Sequence, residues 1–261
     1  MQLKGKTVLI TGGTAGIGLE AAKQFLANGA KVIITGRNQS KLDAAKRLYP
    51  SVTAIKSDAA NADDARALFE QVKALGGIDI LYNNAGVMSG PLNLGAANDK
   101  HLEAAEYEMN VNYLGVIRMN NLFMEMLKSG KEGAIINTSS LLSYVPLVLA
   151  PTYSASKAAV RFYTESLREH LRILGSNVKV FELLPPLVAT EMAEGLDAKA
   201  ITPEELVKAL IDGIKKDKFT IRVGTTKLIY ILSRLFPRVA FKLINPMKSA
   251  EQLQPQLSLA R

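Results

Sequence analysis

The chain has 261 residues, of which 48% are hydrophobic and 21% are charged, so it can bury a sizeable core and does not resemble a disordered protein. It contains no cysteine, which excludes a disulfide framework, a thiolate nucleophile and a cysteine-ligated metal, and we expect no metal site. The net charge of +8 comes mainly from residues 199–261, which carry 12 Lys and Arg against 5 Asp and Glu. No nucleic-acid-binding module accompanies these charges, so nucleic acid is not expected as a partner.

Short runs rich in Val and Ile alternate with longer segments of helical periodicity, a pattern typical of repeated βαβ units. It predicts an α/β protein with a doubly wound parallel sheet. Seven strands are predicted, over Thr7–Thr11, Lys31–Thr35, Val52–Lys56, Ile78–Asn83, Ala134–Thr138, Val178–Leu184 and Phe219–Val223. Helices are predicted near residues 17–28, 39–48, 61–75, 99–129, 152–174 and 203–216.

Several element boundaries have a chemical cause. Gly29 supplies a left-handed stop after the first helix, and Thr202-Pro203-Glu204-Glu205 is a capping box with proline at the first helical position. No repeat or flexible linker divides the chain, so we expect one domain, with a core over 1–224 and a C-terminal helical extension over 225–261. The N-terminal sequence shows no secretion signal, which favours a cytoplasmic protein.

A glycine cluster follows the first predicted strand and opens the first predicted helix, with the sequence Thr-Gly-Gly-Thr-Ala-Gly-Ile-Gly over residues 11–18. Glycine is needed where the backbone turns sharply and lets a diphosphate approach, and the N-terminus of a helix attracts the anion. The placement predicts a dinucleotide site, and a tight turn without a ligand is the alternative. The glycine spacing is neither that of the standard dinucleotide fingerprint nor that of a P-loop.

This spacing resembles that of the short-chain dehydrogenase/reductase family, and further segments match the family in the same order. They are Asn83-Asn84-Ala85-Gly86 after the fourth strand, Asn112, Ser140 after the fifth strand, and Tyr153-Ser154-Ala155-Ser156-Lys157. The resemblance covers nearly the whole chain. It implies a Rossmann-like sheet of about seven strands with helices on both faces, a nicotinamide dinucleotide cofactor, a homo-oligomer, and an oxidoreductase that acts on a small carbonyl or alcohol.

The resemblance also assigns contacts with the cofactor. It places Asp58 at the adenine, and taken alone this residue is better explained by turn chemistry, as are the asparagines after the fourth strand. It also places Tyr153 and Lys157, the two catalytic candidates on one helix, in contact with the cofactor. The remaining implied contacts are Gly12, Thr14, Gly16, Ile17 and Gly18 in the glycine loop, Asn84, Ala85 and Gly86 along the adenosine, and Val188 and Thr190 at the nicotinamide amide.

The choice between NADP(H) and NAD(H) depends on the end of the second strand. An acidic side chain there accepts hydrogen bonds from the ribose of NAD and repels a 2′-phosphate, but this chain has Gly36-Arg37-Asn38. A guanidinium pairs with phosphate through charge-assisted hydrogen bonds, so Arg37 predicts NADP(H) in preference to NAD(H). Ala15 argues the other way, because many NADP-preferring members carry a basic residue in the glycine loop, and a solvated Arg37 is the alternative.

Tyr153 and Lys157 are four residues apart on a predicted helix, so their side chains project from one face. Carbonyl reduction requires a proton on the developing alkoxide, and a nearby cation favours the phenolate of a tyrosine, whose ordinary pKa is about 10, in the reverse reaction. By the resemblance, Lys157 also hydrogen-bonds the nicotinamide ribose, Ser140 polarises the substrate carbonyl, and Asn112 organises a water chain for proton relay.

Ser139 is a second candidate for the catalytic serine. We choose Ser140, because its separation from Tyr153 matches the family, and we expect Ser139 to support the loop. A serine hydrolase is excluded, because no Gly-x-Ser-x-Gly elbow follows a strand and the two histidines, His101 and His170, lie in helical segments. The alternative function is a dinucleotide-binding regulatory or scaffold protein without turnover.

The segments around the predicted nicotinamide should shape specificity. Pro185-Pro186 replaces the family's usual Pro-Gly, which predicts a stiffer backbone there. The loops Met88–Asn98 and Ala189–Ile201 flank the site, as expected for ligands of open α/β sheets. Apolar residues between the catalytic serine and tyrosine either line the substrate pocket or pack on their own domain: Leu141, Leu142, Tyr144, Leu147, Val148 and Leu149.

The segment after the last predicted strand is strongly apolar, but Arg234, Arg238 and Lys242 interrupt it and Pro237 divides it, which disfavours a transmembrane span. We expect two helices over 225–250, joined near the proline, that pack against the protein itself or a sister subunit. A peripheral membrane contact and a solvated extension are the alternatives. The residues expected to be buried are Leu228, Ile231, Leu232, Leu235, Phe236, Val239 and Leu243.

Overall fold

The computed structural model describes residues 1–193 and 200–246. The strands in this part of the chain are β1 (Thr7–Ile10), β2 (Lys31–Gly36), β3 (Thr53–Lys56), β4 (Ile80–Asn83), β5 (Gly133–Thr138), β6 (Val178–Leu184) and β7 (Thr220–Arg222). They form one sheet in the order β3-β2-β1-β4-β5-β6-β7, and every neighbouring pair is parallel. The predicted parallel sheet of about seven strands is confirmed.

Helices cover both faces of the sheet. They are α1 (Gly16–Ala27), α2 (Gln39–Leu48), α3 (Ala62–Ala74), α4 (Lys100–Met109), α5 (Gly115–Ser129), α6 (Pro151–Ile173), α7 (Pro203–Lys215), α8 (Thr226–Leu235) and α9 (Pro237–Ile244). Phe25 of α1 and Leu210 of α7 belong to the core on one face, and Leu68 of α3 and Phe123 of α5 belong to the core on the other. The central strands are rich in apolar residues because both of their faces are buried.

The winding of the sheet reverses at β1. Leu9 of β1 pairs with Ile33 of β2 on one side and with Leu81 of β4 on the other. Ligands of open parallel sheets bind beyond the carboxyl ends of the strands at such a switch point. The glycine loop follows β1 and the segment 83–86 ends β4, so both lie at this edge of the sheet.

The single helix predicted over 99–129 is interrupted, because five residues with π-helical hydrogen bonding, Asn110–Leu114, separate α4 from α5. A π turn does not alter the apolar pattern enough to be seen in the sequence, and it frequently marks a functional site. Six of the predicted strands differ from the structure by one or two residues at an end, and β6 matches. The two helix-end signals are confirmed: Gly29 after α1 has a φ of +77°, and Thr202 Oγ1 at the start of α7 accepts a hydrogen bond from Glu205 N at 3.1 Å.

Two helices joined at Pro237 follow β7, as predicted. Their inner residues Ile229 and Ala240 pack against Leu141 and Val145 of the loop after β5. Residues 247–250 of the predicted span lie outside the described residues. Within residues 1–193 and 200–246, no helix has the length and apolar character needed to cross a membrane.

The predicted burial of the outer residues of these helices against their own protein is wrong. Leu232 does pack against the cluster of Ile229 and Ala240. The other six residues expected to be buried are between 49% and 66% exposed: Leu228, Ile231, Leu235, Phe236, Val239 and Leu243. The reason is geometric, because a surface helix packs only one of its faces against the protein. In α8 and α9, apolar residues also lie on the face that is turned to solvent. Packing against a sister subunit stays a prediction.

Candidate active site

The glycine loop forms a cradle in which side chains do not fit. Gly12 and Gly16 have φ values of +64° and +51°, in the left-handed region that favours glycine. A Cβ added at Gly18 would lie 2.1 Å from the carbonyl oxygen of Gly12. The backbone itself therefore forms the surface of the loop, as close approach of a ligand requires.

The N-terminus of α1 offers free N–H groups to an anion. The helix begins at Gly16 and continues through Ile17, while Ala15 at the N-cap supplies no side-chain acceptor and the first turn contains no acidic residue. The first N–H groups of a helix have no partner within it, and the helix dipole adds a positive potential. These features fit the diphosphate of a nicotinamide dinucleotide.

Asn84 holds the glycine loop in place. Its Nδ2 donates hydrogen bonds to the carbonyl oxygens of Thr11 and Gly12, both at 3.1 Å. Thr11 Oγ1 accepts hydrogen bonds from the backbone N–H groups of Asn84 and Ala85 at 3.0 Å. The two strand ends are thereby tied together, and Thr11 is a structural partner that the sequence analysis did not identify.

Arg37 lies beyond the end of β2, and its guanidinium donates a hydrogen bond to the hydroxyl of Tyr107 on α4. This hydrogen bond, and more weakly the charge of Asp58, raise the pKa of Arg37. Asp58 itself accepts a hydrogen bond from a backbone N–H two residues further on, at 2.9 Å. Thr14 borders the same corner, since a Cβ added at Gly36 would lie 2.8 Å from its methyl carbon. The exposed guanidinium of Arg37 is thus bordered by three separate segments, which carry Thr14, Asp58 and Tyr107.

The segment after β6 reaches the glycine loop. The backbone on either side of Val188 forms hydrogen bonds of 2.9 and 3.0 Å with Ile201. A Cβ added at Gly16 would lie 3.0 Å from the methyl carbon of Thr190. Val188 and Thr190 are therefore held beside the cradle, on the side expected for the nicotinamide. Pro185 is tied to the loop that follows Ser140, because its carbonyl oxygen accepts a hydrogen bond from Leu141 N at 2.9 Å.

Tyr153, Ser140 and Lys157 come together beyond the ends of β4 and β5. The Tyr153 hydroxyl lies beside the Ser140 hydroxyl. Lys157 Nζ lies 5.6 Å from the centroid of the Tyr153 ring and donates a hydrogen bond to the carbonyl oxygen of Thr138 at 3.0 Å. A Cβ added at Gly86 would lie 3.4 Å from this ammonium, so the glycine keeps space open beside it.

Burial sets the protonation of this pair. It raises the pKa of the Tyr153 phenol to about 12, the neighbouring Ser140 hydroxyl opposes the shift, and the charge of Glu108 adds to it. Burial also lowers the pKa of the Lys157 ammonium to about 8. At neutral pH the phenol is protonated and most of the lysine is charged, which is the state needed to donate a proton.

Asn112 lies fully buried in the π-helical turn. Its Oδ1 accepts a hydrogen bond from Val87 N at 2.8 Å, and its Nδ2 donates to Val87 O and to Ser156 Oγ, both at 2.9 Å. Both amide hydrogens are used, so only a second lone pair of Oδ1 is left for a water. The amide links the loop after β4 to the helix that carries Tyr153 and Lys157.

A family model described as short chain dehydrogenase matches residues 6–200. The chain belongs to this family. It is 35% identical over 225 residues to the uncharacterized oxidoreductase DltE of Bacillus subtilis strain 168, a match that covers 84% of this chain and 88% of the relative. The resemblance inferred from the sequence is confirmed, and the chain is a nicotinamide-dependent oxidoreductase of the short-chain dehydrogenase type.

Two solved structures are similar along most of the chain. A short chain dehydrogenase from Burkholderia cenocepacia J2315 in complex with NADP superposes with a TM-score of 0.81 at 30% identity, covering 92% of this chain and 97% of that one. A short chain dehydrogenase/reductase from Burkholderia phymatum in complex with NAD gives a TM-score of 0.79 at 23% identity, with coverages of 91% and 95%. The first supports the family and the fold, and the second supports the fold.

Ser139 and Ser140 have different surroundings. Ser139 Oγ donates a 2.6 Å hydrogen bond to the buried carboxyl of Glu182 on β6, away from the phenol. Burial raises the pKa of Glu182, and the Ser139 hydroxyl opposes that shift. Ser140 Oγ accepts a hydrogen bond from Leu142 N at 3.1 Å and adjoins Tyr153. This supports the choice of Ser140 and gives Ser139 a structural role.

Glu108 is a buried acid that the sequence analysis missed. It is 1% exposed, its Oε1 accepts a hydrogen bond from Ser89 N at 2.5 Å, and its Oε2 has no hydrogen-bond partner in the described part of the chain. It anchors the loop 88–98 that was expected to shape specificity. The signal was present in the sequence, because Glu108 is one helical turn before Asn112 and therefore on the same face.

The apolar loop between Ser140 and Tyr153 packs mainly on its own protein. Leu141 and Val145 are buried in a cluster with Ile229 and Ala240, and the neighbouring Leu142 and Tyr144 pack against it. Leu149 is buried, and its carbonyl oxygen accepts a hydrogen bond from Leu92 N at 3.2 Å. Of the two interpretations left open by the sequence, packing therefore explains most of these residues.

Among the described residues, no group of three or more His, Asp or Glu side chains could hold a metal ion.

Proposed function

We propose that the chain is an NADP(H)-dependent carbonyl reductase, or the matching alcohol dehydrogenase, with Tyr153 as the acid/base. The proposal is carried by one arrangement: the Tyr153 hydroxyl lies beside the Ser140 hydroxyl, and Lys157 Nζ lies 5.6 Å from the centroid of the Tyr153 ring. All three side chains lie at the sheet edge where the glycine loop also lies. This edge is where a dinucleotide and a substrate can meet.

Bound NADPH supplies the hydride that the substrate carbon accepts. The chain's own groups handle the oxygen: Ser140 and Tyr153 present adjacent hydroxyls, so both can donate hydrogen bonds to a single carbonyl oxygen. Tyr153 then gives its proton to the developing alkoxide, and the charge of Lys157 stabilises the phenolate that is left. In the direction of alcohol oxidation, the same groups remove the proton from the hydroxyl.

The preference for NADP(H) rests on Arg37. The residue is exposed, and its side chain contacts the hydroxyl of Tyr107 and has no ion-pair partner in the described part of the chain. The guanidinium of Arg37 can therefore pair with a 2′-phosphate without first breaking an ion pair with a carboxylate. Neither neighbour of Arg37 in the sequence, Gly36 or Asn38, supplies the acid that an NAD ribose prefers.

The test is consumption of NADPH by the purified protein with a panel of aldehydes and ketones of increasing apolar size. At least one carbonyl should cause a loss of nicotinamide absorbance, and NADH should be a poorer donor with the same carbonyl. Tight binding of NADPH without turnover on any carbonyl or alcohol would instead favour a dinucleotide-binding scaffold. Equal efficiency of NADH and NADPH would contradict the cofactor preference alone.

A further inference from the structure

The outward faces of α8 and α9 form one apolar surface. Leu228, Ile231 and Leu235 follow one another along α8 at helical spacing, and Val239 and Leu243 are one turn apart on α9. These residues and Phe236, which joins the two helices, are each about half to two thirds exposed. We name this set of six the α8–α9 surface. Soluble proteins seldom expose contiguous apolar patches of this kind unless they bind something.

The α8–α9 surface is surrounded by positive charge. Lys227, Arg234, Arg238 and Lys242 are exposed, and none of them forms an ion pair within residues 1–193 and 200–246. The sequence from 218 to 246 contains six Lys and Arg residues and no Asp or Glu. A partner that binds this surface must therefore be apolar where it contacts the six residues and negatively charged where it faces the surrounding basic residues.

We propose that the α8–α9 surface binds an anionic membrane, with its apolar residues at the level of the lipid headgroups and its basic residues on the lipid phosphates. A helix with one apolar face and basic residues beside it lies in the plane of the interface. The two helices have 10 and 8 residues, and neither is long enough to cross a bilayer. The contact is therefore peripheral.

A second copy of the chain fits the same surface poorly. A two-fold contact pairs a surface with itself, so the basic residues of both copies would face one another. Arg234, Arg238 and Lys242 would then be brought together without an acidic partner from either surface, and like charges across an interface are costly. A bilayer containing anionic lipids supplies the opposite charge instead.

The helices that carry the α8–α9 surface pack on the loop that follows Ser140. Asn245, just after α9, accepts a hydrogen bond from Val148 N at 2.8 Å and donates one to Pro146 O at 2.9 Å. These residues belong to the loop between Ser140 and Tyr153, which α8 and α9 cover. A membrane contact through α8 and α9 would bring this loop to the lipid surface.

The test is sedimentation of the full chain with vesicles of pure phosphatidylcholine and with an equal mixture of phosphatidylcholine and phosphatidylglycerol. We expect binding to the anionic vesicles at low salt, much weaker binding at high salt, and little binding to phosphatidylcholine alone. The triple variant R234Q/R238Q/K242Q should bind the anionic vesicles about 100-fold more weakly, on the usual contribution of a basic residue near such a surface. Absence of binding by the unaltered chain at low salt overturns the proposal.

Two controls make the result specific to the surface. The variant K46Q/R47Q/K73Q removes three exposed positive charges from α2 and α3 and should bind as the unaltered chain does. The variant L235S/V239S keeps every charge and should lose most of the binding, and because both side chains are exposed its thermal unfolding should be unchanged. Equal losses in the two charge variants, or full binding by L235S/V239S, would show that the contact is made elsewhere.

The other possible occupants give different results. If the unaltered chain fails to bind and L235S/V239S converts a dimer into a monomer, the surface belongs to a second copy and the proposal is wrong. If binding appears only in a chain that ends at Pro246, residues 247–261 occupy the surface, and the proposal is again wrong. Binding that is the same with and without those residues supports it.

Discussion

Asn112 Nδ2 donates a hydrogen bond to Ser156 Oγ at 2.9 Å, and Ser156 Oγ donates in turn to the carbonyl oxygen of Tyr153 at 2.8 Å. The same asparagine pairs with both backbone groups of Val87. One side chain in the π-helical turn thus joins the loop after β4 to the helix that carries Tyr153 and Lys157. We interpret Asn112 as a positioning residue for the catalytic helix, in addition to the proton-relay role that the family resemblance implies.

The substitution Asn112→Ala is expected to lower the free energy of unfolding by about 2–4 kcal/mol, because it removes a fully buried amide and leaves two half-buried backbone groups of Val87 without their partner. Turnover should fall as well. Asn110→Ala is the matched control, since Asn110 is half-buried and its Oδ1 accepts only a 3.3 Å hydrogen bond from Arg118. Urea unfolding of the three proteins measures the difference. Equal stabilities of the two variants would show that the Asn112 hydrogen bonds are not important.

The substitution Tyr153→Phe is expected to reduce kcat by about 100- to 10,000-fold, the usual contribution of a general acid. Affinity for NADPH, measured by fluorescence titration, should change little. Tyr163→Phe is the control, because it removes a phenol hydroxyl from the same helix, at a position beside Asn120. If Tyr153→Phe retains turnover near that of the control, another group donates the proton.

Much of the fold could be predicted because local pattern and tertiary packing agree. The strand Val178–Leu184 was predicted correctly at both ends, since six of its seven residues are buried and five of those six are apolar. The π-helical turn at Asn110–Leu114 could not be predicted, because one added residue in a helix hardly changes its apolar periodicity. The tail shows the same limit: periodicity identifies the apolar residues of α8, but only the structure shows that Ile229 faces the protein and Leu228 faces solvent.

The candidate site was predictable where its residues lie on one element. The four-residue spacing of Tyr153 and Lys157 alone places both on one helical face. Contacts between distant elements were missed, because no local pattern encodes them. Tyr107 meets Arg37 across 70 residues of sequence, and Ser139 meets the buried carboxyl of Glu182 across 43.

The substitution Ser140→Ala is expected to lower kcat by about 100- to 1,000-fold, the usual effect of removing one donor to a developing oxyanion. Ser139→Ala should instead lower the free energy of unfolding by about 1–3 kcal/mol and leave kcat within about tenfold, because it removes the hydroxyl that the buried Glu182 carboxyl accepts from. Kinetics and thermal unfolding of both variants provide the comparison. The reverse pattern would make Ser139 the catalytic serine.

The substitution Arg37→Asp is expected to shift cofactor preference toward NADH, because it replaces attraction of a 2′-phosphate by repulsion and provides an acceptor for ribose hydroxyls. The ratio of kcat/KM for NADPH to that for NADH should fall by at least about 100-fold, from the loss of a charged hydrogen bond and the added repulsion. Arg47→Asp makes the same charge change at an exposed position on α2 and should leave the ratio unaltered. An unchanged ratio in Arg37→Asp would remove the basis for the NADP(H) preference.

The pH dependence of carbonyl reduction follows from Lys157. Burial lowers the pKa of its ammonium from 10.5 to about 8, so the charge is present below that pH and lost above it. The Tyr153 phenol, with its pKa raised to about 12, stays protonated throughout this range. We therefore expect kcat/KM for reduction to be constant near neutral pH and to fall about tenfold per pH unit above 8, as the phenolate loses its stabilising cation.

Lys157→Arg tests this assignment, because a guanidinium keeps its charge at every pH used. The variant should be slower, since the guanidinium has a different shape, but its residual kcat/KM should show no fall near pH 8. The stability of the unaltered protein supplies a second measurement. Between about pH 8 and 10.5, Lys157 binds more protons in the unfolded state than in the folded state. The contribution of Lys157 to the free energy of unfolding should therefore rise with pH in that window. This rise should be absent in Lys157→Met. A fall in kcat/KM near pH 8 that persists in Lys157→Arg would assign the titration to another group.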